Sequence, residues 1–320
     1  MSTTPRIVIG GASGLVGSAL VEALRGDGVD VTRLVRRRPE AAEEVEWRPG
    51  DRPLDPAVLS GAQAVVNLNG ASIGRLPWGR RYRDELRTSR LAPTATIAAA
   101  VSELGADAPH FVSASAVGFY GDRPREVLTE AAGQGSTFLA DLSAEWESAA
   151  LGAGPDSSSG AGAGGTAAGP GVAFLRTAPI IHRKGVLKPL VLLTKLGLSG
   201  PLGGGAQVWP WISLIDEVRA IRHIIDRGLT GPVNLTGPAP ATANDIGRAI
   251  AAELHRPYLL PAPAWALRLG LGRDAADSLL LSDADVRPAA LLDSGFEFTH
   301  ETAAEAVRAA LAGSVSYTHL

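Results

Sequence analysis

Three glycines near the amino terminus have the clearest chemical signature in the sequence. They lie in the segment Gly11-Ala12-Ser13-Gly14-Leu15-Val16-Gly17, directly after the β-branched run Ile7-Val8-Ile9. Glycine at the first two positions lets the backbone turn tightly and approach a pyrophosphate, and the third lets a helix pack closely on a strand. The alternative is a bare turn. The pattern predicts a dinucleotide-binding turn between strand and helix, formed by Gly11, Ser13, Gly14, Leu15 and Gly17.

The end of the second predicted strand selects between the two nicotinamide dinucleotides. An acidic side chain there would bind the ribose 2′-hydroxyl of NAD, but the strand ends in Val35-Arg36-Arg37-Arg38 and no Asp or Glu follows before Glu40. Arg36 can form a bidentate, charge-assisted contact with a 2′-phosphate, which a carboxylate would repel. The alternative is a solvated basic loop. The sequence therefore predicts NADP(H) as the cofactor.

Alternating strand and helix patterns must position these residues. Because crossover helices fit between the strands, the alternation predicts a doubly wound parallel Rossmann sheet of the α/β class, with a smaller, mainly helical C-terminal substrate lobe. A long helical pattern covers Gly79 to Leu104, and Pro93 within it predicts a kink or two helices. The predicted strands are Ile7–Ile9, Val29–Val35, Ala64–Leu68, His110–Ala116 and Val172–Ile181.

The same patterns predict the domain organisation. Residues 1–180 form the Rossmann domain, and residues 212–237, an amphipathic helix and a strand-like run, return to it. Residues 181–211 and 238–313 form the substrate lobe. The Gly-, Ala- and Ser-rich residues 151–171 are predicted to be a flexible insert. Residues 314–320 do not continue the preceding apolar helix face and are interpreted as a possible non-native tail.

Composition excludes several classes of function. The 320 residues include 30 Lys and Arg and 33 Asp and Glu, so the net charge of −3 argues against general nucleic-acid or anionic-membrane binding. The chain has no cysteine, which rules out disulfides and thiolate sites. Its six histidines are scattered without paired spacing, so no metal site is expected. No signal peptide or membrane segment is apparent, and a cytoplasmic protein is expected.

Lysine usage limits the chemistry further. Lys184, Lys188 and Lys195 are the only lysines, and every other basic residue is arginine. Any phosphate-binding or acid/base role in the first 183 residues must therefore be filled by arginine, backbone amides, hydroxyls or carboxylates.

Several motifs together resemble the extended short-chain dehydrogenase/reductase superfamily. They are the glycine loop, Val66 to Ala71, Trp78 to Arg90, Ser113 to Gly121, and Gly203 to Gln207 followed by Pro210-Trp211-Ile212. More narrowly, the chain resembles the NAD-dependent epimerase/dehydratase-like oxidoreductases that carry a C-terminal domain of unknown function, here matched by Pro261 to Phe298. The resemblance extends from about Arg6 to Leu311.

This resemblance implies further cofactor residues. Leu68, Asn69 and Gly70 are expected to line the cofactor at the end of the third long strand, and Glu85 and Arg90 to face it from the following helix. Arg176 precedes Thr177-Ala178-Pro179, which resembles the segment beside the nicotinamide, so Pro179 joins the cofactor site. The alternatives are a surface pair for Glu85 and Arg90 and a salt bridge for Arg176.

The resemblance also exposes a departure at the catalytic centre. Hydride-transferring members of the superfamily use a tyrosine and a lysine four residues apart, the lysine lowering the pKa of the tyrosine. Positions four after Tyr82, Tyr120 and Tyr258 hold Leu, Pro and Ala, and the chain ends before the position four after Tyr317, so the dyad is absent. Alignment gives its places to Phe138 and Leu142. Ser115 and Tyr120 remain the catalytic candidates.

Together these features predict an NADP(H)-dependent oxidoreductase of the epimerase/dehydratase-like type, acting on a small hydroxyl- or carbonyl-bearing substrate. A non-catalytic NADP(H)-binding sensor or partner-binding protein is the first alternative, because the dyad is missing. A nucleotide-sugar epimerase is the second. The expected partner is a small molecule, with no nucleic acid and no membrane, and a homodimer is left open by the resemblance.

Overall fold

Eleven strands and ten helices make up the part of the chain that the computed structural model describes, residues 4–152, 171–185 and 187–312. The strands are β1 (Arg6–Gly10), β2 (Asp30–Val35), β3 (Glu44–Glu46), β4 (Ala64–Asn67), β5 (His110–Ala116), β6 (Arg123–Leu128), β7 (Val172–Thr177), β8 (Ile180–Ile181), β9 (Ile212–Ser213), β10 (Gly231–Leu235) and β11 (Ala284–Val286). The helices are α1 (Leu15–Gly26), α2 (Arg80–Leu104), α3 (Phe138–Ala150), α4 (Leu187–Lys195), α5 (Leu214–Arg227), α6 (Ala243–Glu253), α7 (Ala264–Leu271), α8 (Arg273–Ala276), α9 (Ala289–Asp293) and α10 (Ala303–Ala312).

Seven parallel strands form the central sheet, in the order β3-β2-β1-β4-β5-β7-β10. The order reverses at β1, which pairs with β2 on one side and β4 on the other. This is the strand order of a doubly wound dinucleotide-binding fold, whose ligands bind at the carboxyl ends of the strands beside the reversal. The predicted fold class is confirmed.

Two apolar cores cover the two faces of the sheet. On one face, alternate residues of β1 and β7, such as Ile7 and Leu175, pack with α1 and α5. On the other face, residues of opposite parity, such as Val8 and Phe174, pack with α2 and the end of α3. Because side chains alternate along a strand, neighbouring residues of β7 face different helices. That alternation governs the chemistry of the site below.

Two sequence predictions about element boundaries are wrong. The run Val172–Ile181 is not one strand: β7 ends at Thr177, and β8 pairs with β9 in a separate two-stranded sheet. Pro179, between them, has no N–H for a ladder. The two-helix alternative for the pattern around Pro93 is also wrong, because α2 is continuous through it, and the kink stays a prediction. The Thr94 hydroxyl donates to the Arg90 carbonyl beside the proline, at 2.7 Å, and adds a bond in the weakened turn.

We call residues 181–211 and 238–312 the C-terminal lobe. Its core contains Trp209 and Trp211, whose indole nitrogens donate to the carbonyls of Leu280 and Ala239. Both tryptophans therefore pack within the lobe. A parallel pair, β6 with β11, links the lobe to the chain after β5. Within the described residues no helix has the length and apolar character needed to cross a membrane. Most of the predicted insert (153–170) and all of the predicted tail (314–320) lie outside the described residues.

Candidate dinucleotide and catalytic site

The carboxyl edge of the sheet brings the predicted cofactor residues together. Gly10 of β1 lies beside Asn67 of β4 in the parallel register, so the glycine turn and Leu68 follow neighbouring strands. The Leu68 N–H donates to the Gly10 carbonyl at 2.8 Å. Ser115 and Arg176 are register partners in β5 and β7. Pro179 follows β7 at the same edge and is exposed.

The glycine turn has no room for side chains. Gly11 has a φ of +82°, and a Cβ on it would lie 2.6 Å from the Leu68 carbonyl carbon and oxygen. A Cβ on Gly17 would lie 2.3 Å from the Gly11 carbonyl oxygen. The first glycine thus permits the turn to approach β4, and the third permits α1 to approach the turn, as the sequence pattern requires.

The helix that follows the turn leaves its first N–H groups available. Gly14 is the N-cap residue of α1 and offers no side chain to cap them. Ser13 and Gly14 are exposed at this end, and Leu15 begins the helix. Free N–H groups at a helix amino terminus, together with the helix dipole, favour an anion such as a phosphate.

Arg36 follows β2 at the same edge and differs in its contacts from Arg33 and Arg37. The Arg37 guanidinium binds both oxygens of the Glu44 carboxylate, each at 2.9 Å. Arg33 contacts Glu43 at 2.9 Å. Arg36 is exposed and forms no ion pair with any described residue. Its guanidinium is therefore free for an anionic ligand, in contrast to those of Arg33 and Arg37.

A buried hydrogen-bond network holds the loop after β4. The Asn67 amide donates to the Thr94 hydroxyl at 2.7 Å, and its carbonyl oxygen accepts from the Asn69 side chain at 2.8 Å. Thr94 also accepts from the Trp146 indole at 2.9 Å. Asn67 and Thr94 are fully buried. The side chain of Asn69 is therefore held by the buried Asn67, and Leu68 and Gly70 lie beside it at the carboxyl edge of the sheet.

Arg90 and Glu85, the two helix residues predicted for the cofactor, lie in different environments. Arg90 is buried and donates to the carbonyls of Leu86 and Ala71, each at 3.0 Å, and it stacks on Trp146. Burial without a carboxylate partner lowers its pKa to about 10. Arg90 thus holds the Gly70–Ala71 backbone from behind. Glu85 is half exposed, and its carboxylate lies 3.8 Å from the Arg75 guanidinium.

Ser115 and Tyr120 are connected through hydrogen bonds to the side chains of Glu147 and Arg176. The Ser115 hydroxyl donates to the Glu147 carboxylate at 2.7 Å. The Arg176 guanidinium donates to both oxygens of that carboxylate, at 2.8 and 2.9 Å, and to the Tyr120 hydroxyl at 2.9 Å. Tyr120 in turn donates to the Asn234 amide oxygen at 2.6 Å. The network runs across β5, β7 and β10.

The network fixes the protonation of its members. Burial raises the pKa of Tyr120 above its usual range, although Arg176 acts against this. Burial alone would lower the pKa of Arg176, but the hydrogen bonds and charge of Glu147 outweigh burial and raise it. Tyr120 is fully buried, with both its donor and an acceptor position occupied. A neutral Tyr120 and a cationic Arg176 are the stable states.

Phe138 and Leu142, at the places of the missing dyad, pack in an apolar cluster. The Phe138 ring lies 5.8 Å from Trp78 between centroids, and the Arg83 and Arg87 guanidinium groups stack over it. Leu142 is buried in the same cluster, beside Ala275 of the C-terminal lobe. Arg83 also pairs with Asp274 of that lobe. The two α3 positions that align with the dyad are therefore occupied by apolar side chains.

A second carboxyl group lies on the opposite face of the sheet. Glu217 of α5 is 1% exposed and accepts a hydrogen bond from the Thr177 hydroxyl at 2.8 Å. Its other oxygen has no hydrogen-bond partner among the described residues. Burial raises the pKa of Glu217 to about 8. The group is thus protonated at neutral pH, directly behind the Thr177–Pro179 segment.

Sequence reasoning missed Glu147, Asn234, Asn67 and Glu217. Glu147 carries no local signal, because its partner Arg176 is 29 residues away. Asn234 lies 114 residues from Tyr120. Glu217 had a weak signal, since it stands on the apolar side of a strongly amphipathic helix, next to Val218.

Comparisons with known proteins agree with this fold. The model of the NAD dependent epimerase/dehydratase family matches residues 7–235, and that of a domain of unknown function (DUF1731) matches residues 262–310. The chain therefore belongs to the NAD dependent epimerase/dehydratase family, and the resemblance seen in its motifs is confirmed.

Individual relatives cover nearly the whole chain. An epimerase family protein of Mycobacterium leprae (ML0860) is 39% identical over 303 residues, 94% of each chain. The crystal structure of the human epimerase family protein SDR39U1 with NADPH has a TM-score of 0.82 at 24% identity, covering 96% of this chain and 99% of that one. The nucleoside-diphosphate sugar epimerase of Corynebacterium glutamicum has a TM-score of 0.73 at 29% identity, covering 95% of this chain and 57% of that one.

Proposed function

We propose that this protein binds NADP(H) at the carboxyl edge of its sheet and acts as an oxidoreductase on a small hydroxyl- or carbonyl-bearing substrate. The observation that carries the proposal is the hydrogen bond from Ser115 to Glu147, a hydroxyl backed by a carboxylate at the edge where the cofactor turn lies. The C-terminal lobe would enclose the substrate against this edge. The human relative crystallised with NADPH supports the choice of cofactor.

The residues present fit a phosphorylated dinucleotide. The cradle of Gly11 and Gly17 leaves no space for a Cβ, and the uncapped start of α1 favours an anion. Arg36 would bind the 2′-phosphate, and Leu68, Asn69 and Gly70 would line the cofactor. When bound, NADP(H) donates or accepts the hydride.

Ser115 would act as a hydrogen-bond acceptor toward the substrate. Its single hydroxyl hydrogen is directed at Glu147, so only its oxygen lone pairs remain for a ligand. A substrate hydroxyl could donate to Ser115 Oγ while the serine proton passes to Glu147. The ion pair with Arg176 holds the Glu147 carboxyl group in place beside Ser115. Tyr120, enclosed by Arg176 and Asn234, would position Arg176 rather than contact substrate.

The cofactor half of the proposal is tested by replacing Arg36. Arg36→Ala removes charge-assisted hydrogen bonds worth about 1.5–3 kcal/mol, so NADPH should bind about 10- to 100-fold more weakly. NADH, which lacks the 2′-phosphate, should bind the variant and the parent about equally. Isothermal titration calorimetry measures both affinities, and Arg38→Ala, in the same loop, is the matched control. Equal loss of NADH and NADPH affinity would contradict the assignment.

The catalytic half is tested by turnover. Carbonyl and alcohol compounds are screened for consumption or formation of reduced nicotinamide absorbance. For any active substrate, Ser115→Ala should lower kcat by about 10²- to 10⁴-fold, as for loss of a positioned proton-transfer group, and leave NADPH affinity unchanged. Thr96→Ala, which removes a hydroxyl on the far side of α2 that bonds its own helix, is the control. Full activity of Ser115→Ala would exclude the proposed proton route.

A second candidate function, a non-catalytic NADP(H) sensor, is favoured by the apolar packing of Phe138 and Leu142. In this case no substrate would be turned over, but cofactor would still bind through Arg36. Tight NADPH binding with no turnover across the screen, together with a partner interaction that NADPH alters, would select it over the oxidoreductase.

A further inference from the structure

Helix α4 exposes an unusual combination of side chains. Its inner face, with Leu190, Val191 and the buried Thr194, packs on the rest of the C-terminal lobe. Lys188 and Lys195 are exposed, and Leu192 and Leu196 are 59% and 64% exposed. Lys188, Leu192 and Lys195 are spaced four and three residues apart, and Leu196 follows directly after the helix, so lysine and leucine share one outward side of α4.

A neighbouring segment extends this outward side into a surface. The Ser199 carbonyl accepts from the backbone N–H groups of Leu259 and Leu260, at 2.9 and 3.0 Å, so the chain after α4 runs beside the chain before α7. Of the 11 large apolar side chains exposed in the described residues, eight belong to residues 192–198 and 259–269. We call them the Lys–Leu patch: Leu192, Leu193, Leu196, Leu198, Leu259, Leu260, Trp265 and Leu269, with Lys188 and Lys195.

The two segments that supply the patch carry only basic charges. Residues 177–215 and 254–273, which supply it, contain no Asp or Glu, although the whole chain has a net charge of −3. All three lysines of the protein lie in the first of these segments. Neither Lys188 nor Lys195 forms an ion pair with another described residue, and Arg256 is likewise exposed and unpaired in that part of the chain. The nearby Arg268 is paired with Asp277.

We propose that the Lys–Leu patch docks this protein on an anionic lipid bilayer surface. Exposed leucines and a tryptophan beside unpaired lysines match the interfacial zone of a membrane, where apolar side chains enter and cationic ends stay at the headgroups. Lysine suits this role, since its long apolar stem can lie in the interface. The net charge of the chain gives no hint of this, because the cations are concentrated locally.

The patch contains its own spectroscopic probe. Five of the six tryptophans are buried, whereas Trp265 is 68% exposed. The full-length protein is mixed with vesicles of phosphatidylcholine alone or with about one-third phosphatidylglycerol. We expect co-flotation with the anionic vesicles only, a blue shift of the emission and protection from acrylamide quenching. Raising the salt concentration should reverse binding. Trp265→Phe should remove the spectral change and retain flotation.

Charge variants measure the contribution of the lysines. Each lysine at an anionic surface contributes about fivefold to binding, so Lys188→Gln with Lys195→Gln should weaken vesicle binding about 25-fold. Arg48→Gln with Arg52→Gln removes two charges from the loop after β3, at one end of the central sheet, and should leave it unchanged. Leu192→Ser with Leu196→Ser should abolish it. These substitutions alter exposed side chains, and an unchanged unfolding transition verifies the fold.

Two results would overturn the proposal. Equal flotation with neutral and anionic vesicles, unaffected by the lysine variants, would show that no charge recognition occurs. A dimer in sedimentation experiments that Leu192→Ser with Leu196→Ser converts to a monomer, without any vesicle binding by the parent, would make the patch an interface between two copies of this chain.

Discussion

Arg176 and Thr177 are consecutive residues of β7, and each contacts a glutamate on a different face of the sheet. Arg176 meets Glu147 of α3 through two hydrogen bonds at 2.8 and 2.9 Å. Thr177 meets Glu217 of α5 through one, at 2.8 Å. Their surroundings also differ: the Glu147 side chain is 12% exposed and accepts from Ser115, whereas Glu217 is 1% exposed. One has a guanidinium and the other has only a hydroxyl.

The comparison illustrates how a charged partner offsets the cost of burying a carboxyl group. Removing a carboxylate from water costs several kcal/mol, which a bidentate guanidinium can offset. A neutral hydroxyl cannot, so the pKa of Glu217 rises to about 8 and its proton stays. The protein thus holds a guanidinium–carboxyl pair on the Ser115 side of β7 and a neutral acid behind the Thr177–Pro179 segment.

The largest expected effect on stability comes from the Arg176–Glu147 pair. Glu147→Leu leaves the Arg176 charge buried without its carboxylate and should lower the free energy of unfolding by about 3–5 kcal/mol. Glu145 lies in the same helix as Glu147 and forms a half-exposed pair with Arg87 of α2. Glu145→Leu breaks this pair and should lower the free energy of unfolding by about 1 kcal/mol or less. Urea unfolding followed by circular dichroism measures both. Equal effects of the two substitutions would mean that the burial of the Arg176 pair is unimportant.

Glu217, which has no charged partner among the described residues, makes the free energy of unfolding depend on pH. Because the pKa of Glu217 is raised from 4.5 to about 8, the folded state holds a proton that the unfolded state has lost. Its contribution to stability is therefore present below about pH 4.5 and falls until about pH 8, by roughly 2 kcal/mol between pH 6 and pH 8. Glu217→Gln should remove this component, measured as the difference between variant and parent unfolding curves. Parallel pH profiles for the two proteins would refute the prediction.

The smallest effect concerns the hydroxyl itself. Thr177→Val preserves the β-branched shape and deletes the hydrogen bond to Glu217, which should reduce the free energy of unfolding by about 1 kcal/mol at pH 6. Thr177→Ser retains the hydroxyl and is the matched control. The pH midpoint assigned to Glu217 should also move upward in the valine variant. A downward shift would show that Thr177 does not stabilise the anionic form.

The geometry of the glycine turn was largely predictable from the sequence because its determinants are local. The turn at Gly11, the helix at Leu15 and the arginine at the end of β2 follow one another within 36 residues, and each acts through backbone geometry or a single charge. The parallel sheet followed from the alternation of apolar runs. The boundary at Thr177 did not, because Ala178-Pro179 interrupts an apolar run that looks continuous in composition.

The sequence by itself determined the parallel fold, the glycine cradle, the absence of a Tyr–Lys dyad and the confinement of lysine to three positions. Only the tertiary structure decided which side chains meet: Ser115 with Glu147, Tyr120 with Asn234, and Glu217 with a single hydroxyl. It also turned two of the three lysines, Lys188 and Lys195, from a feature of composition into part of an exposed surface with leucines and Trp265. The physical reason is that local geometry is encoded in neighbouring residues, whereas burial and pairing depend on segments that only the folded chain brings together.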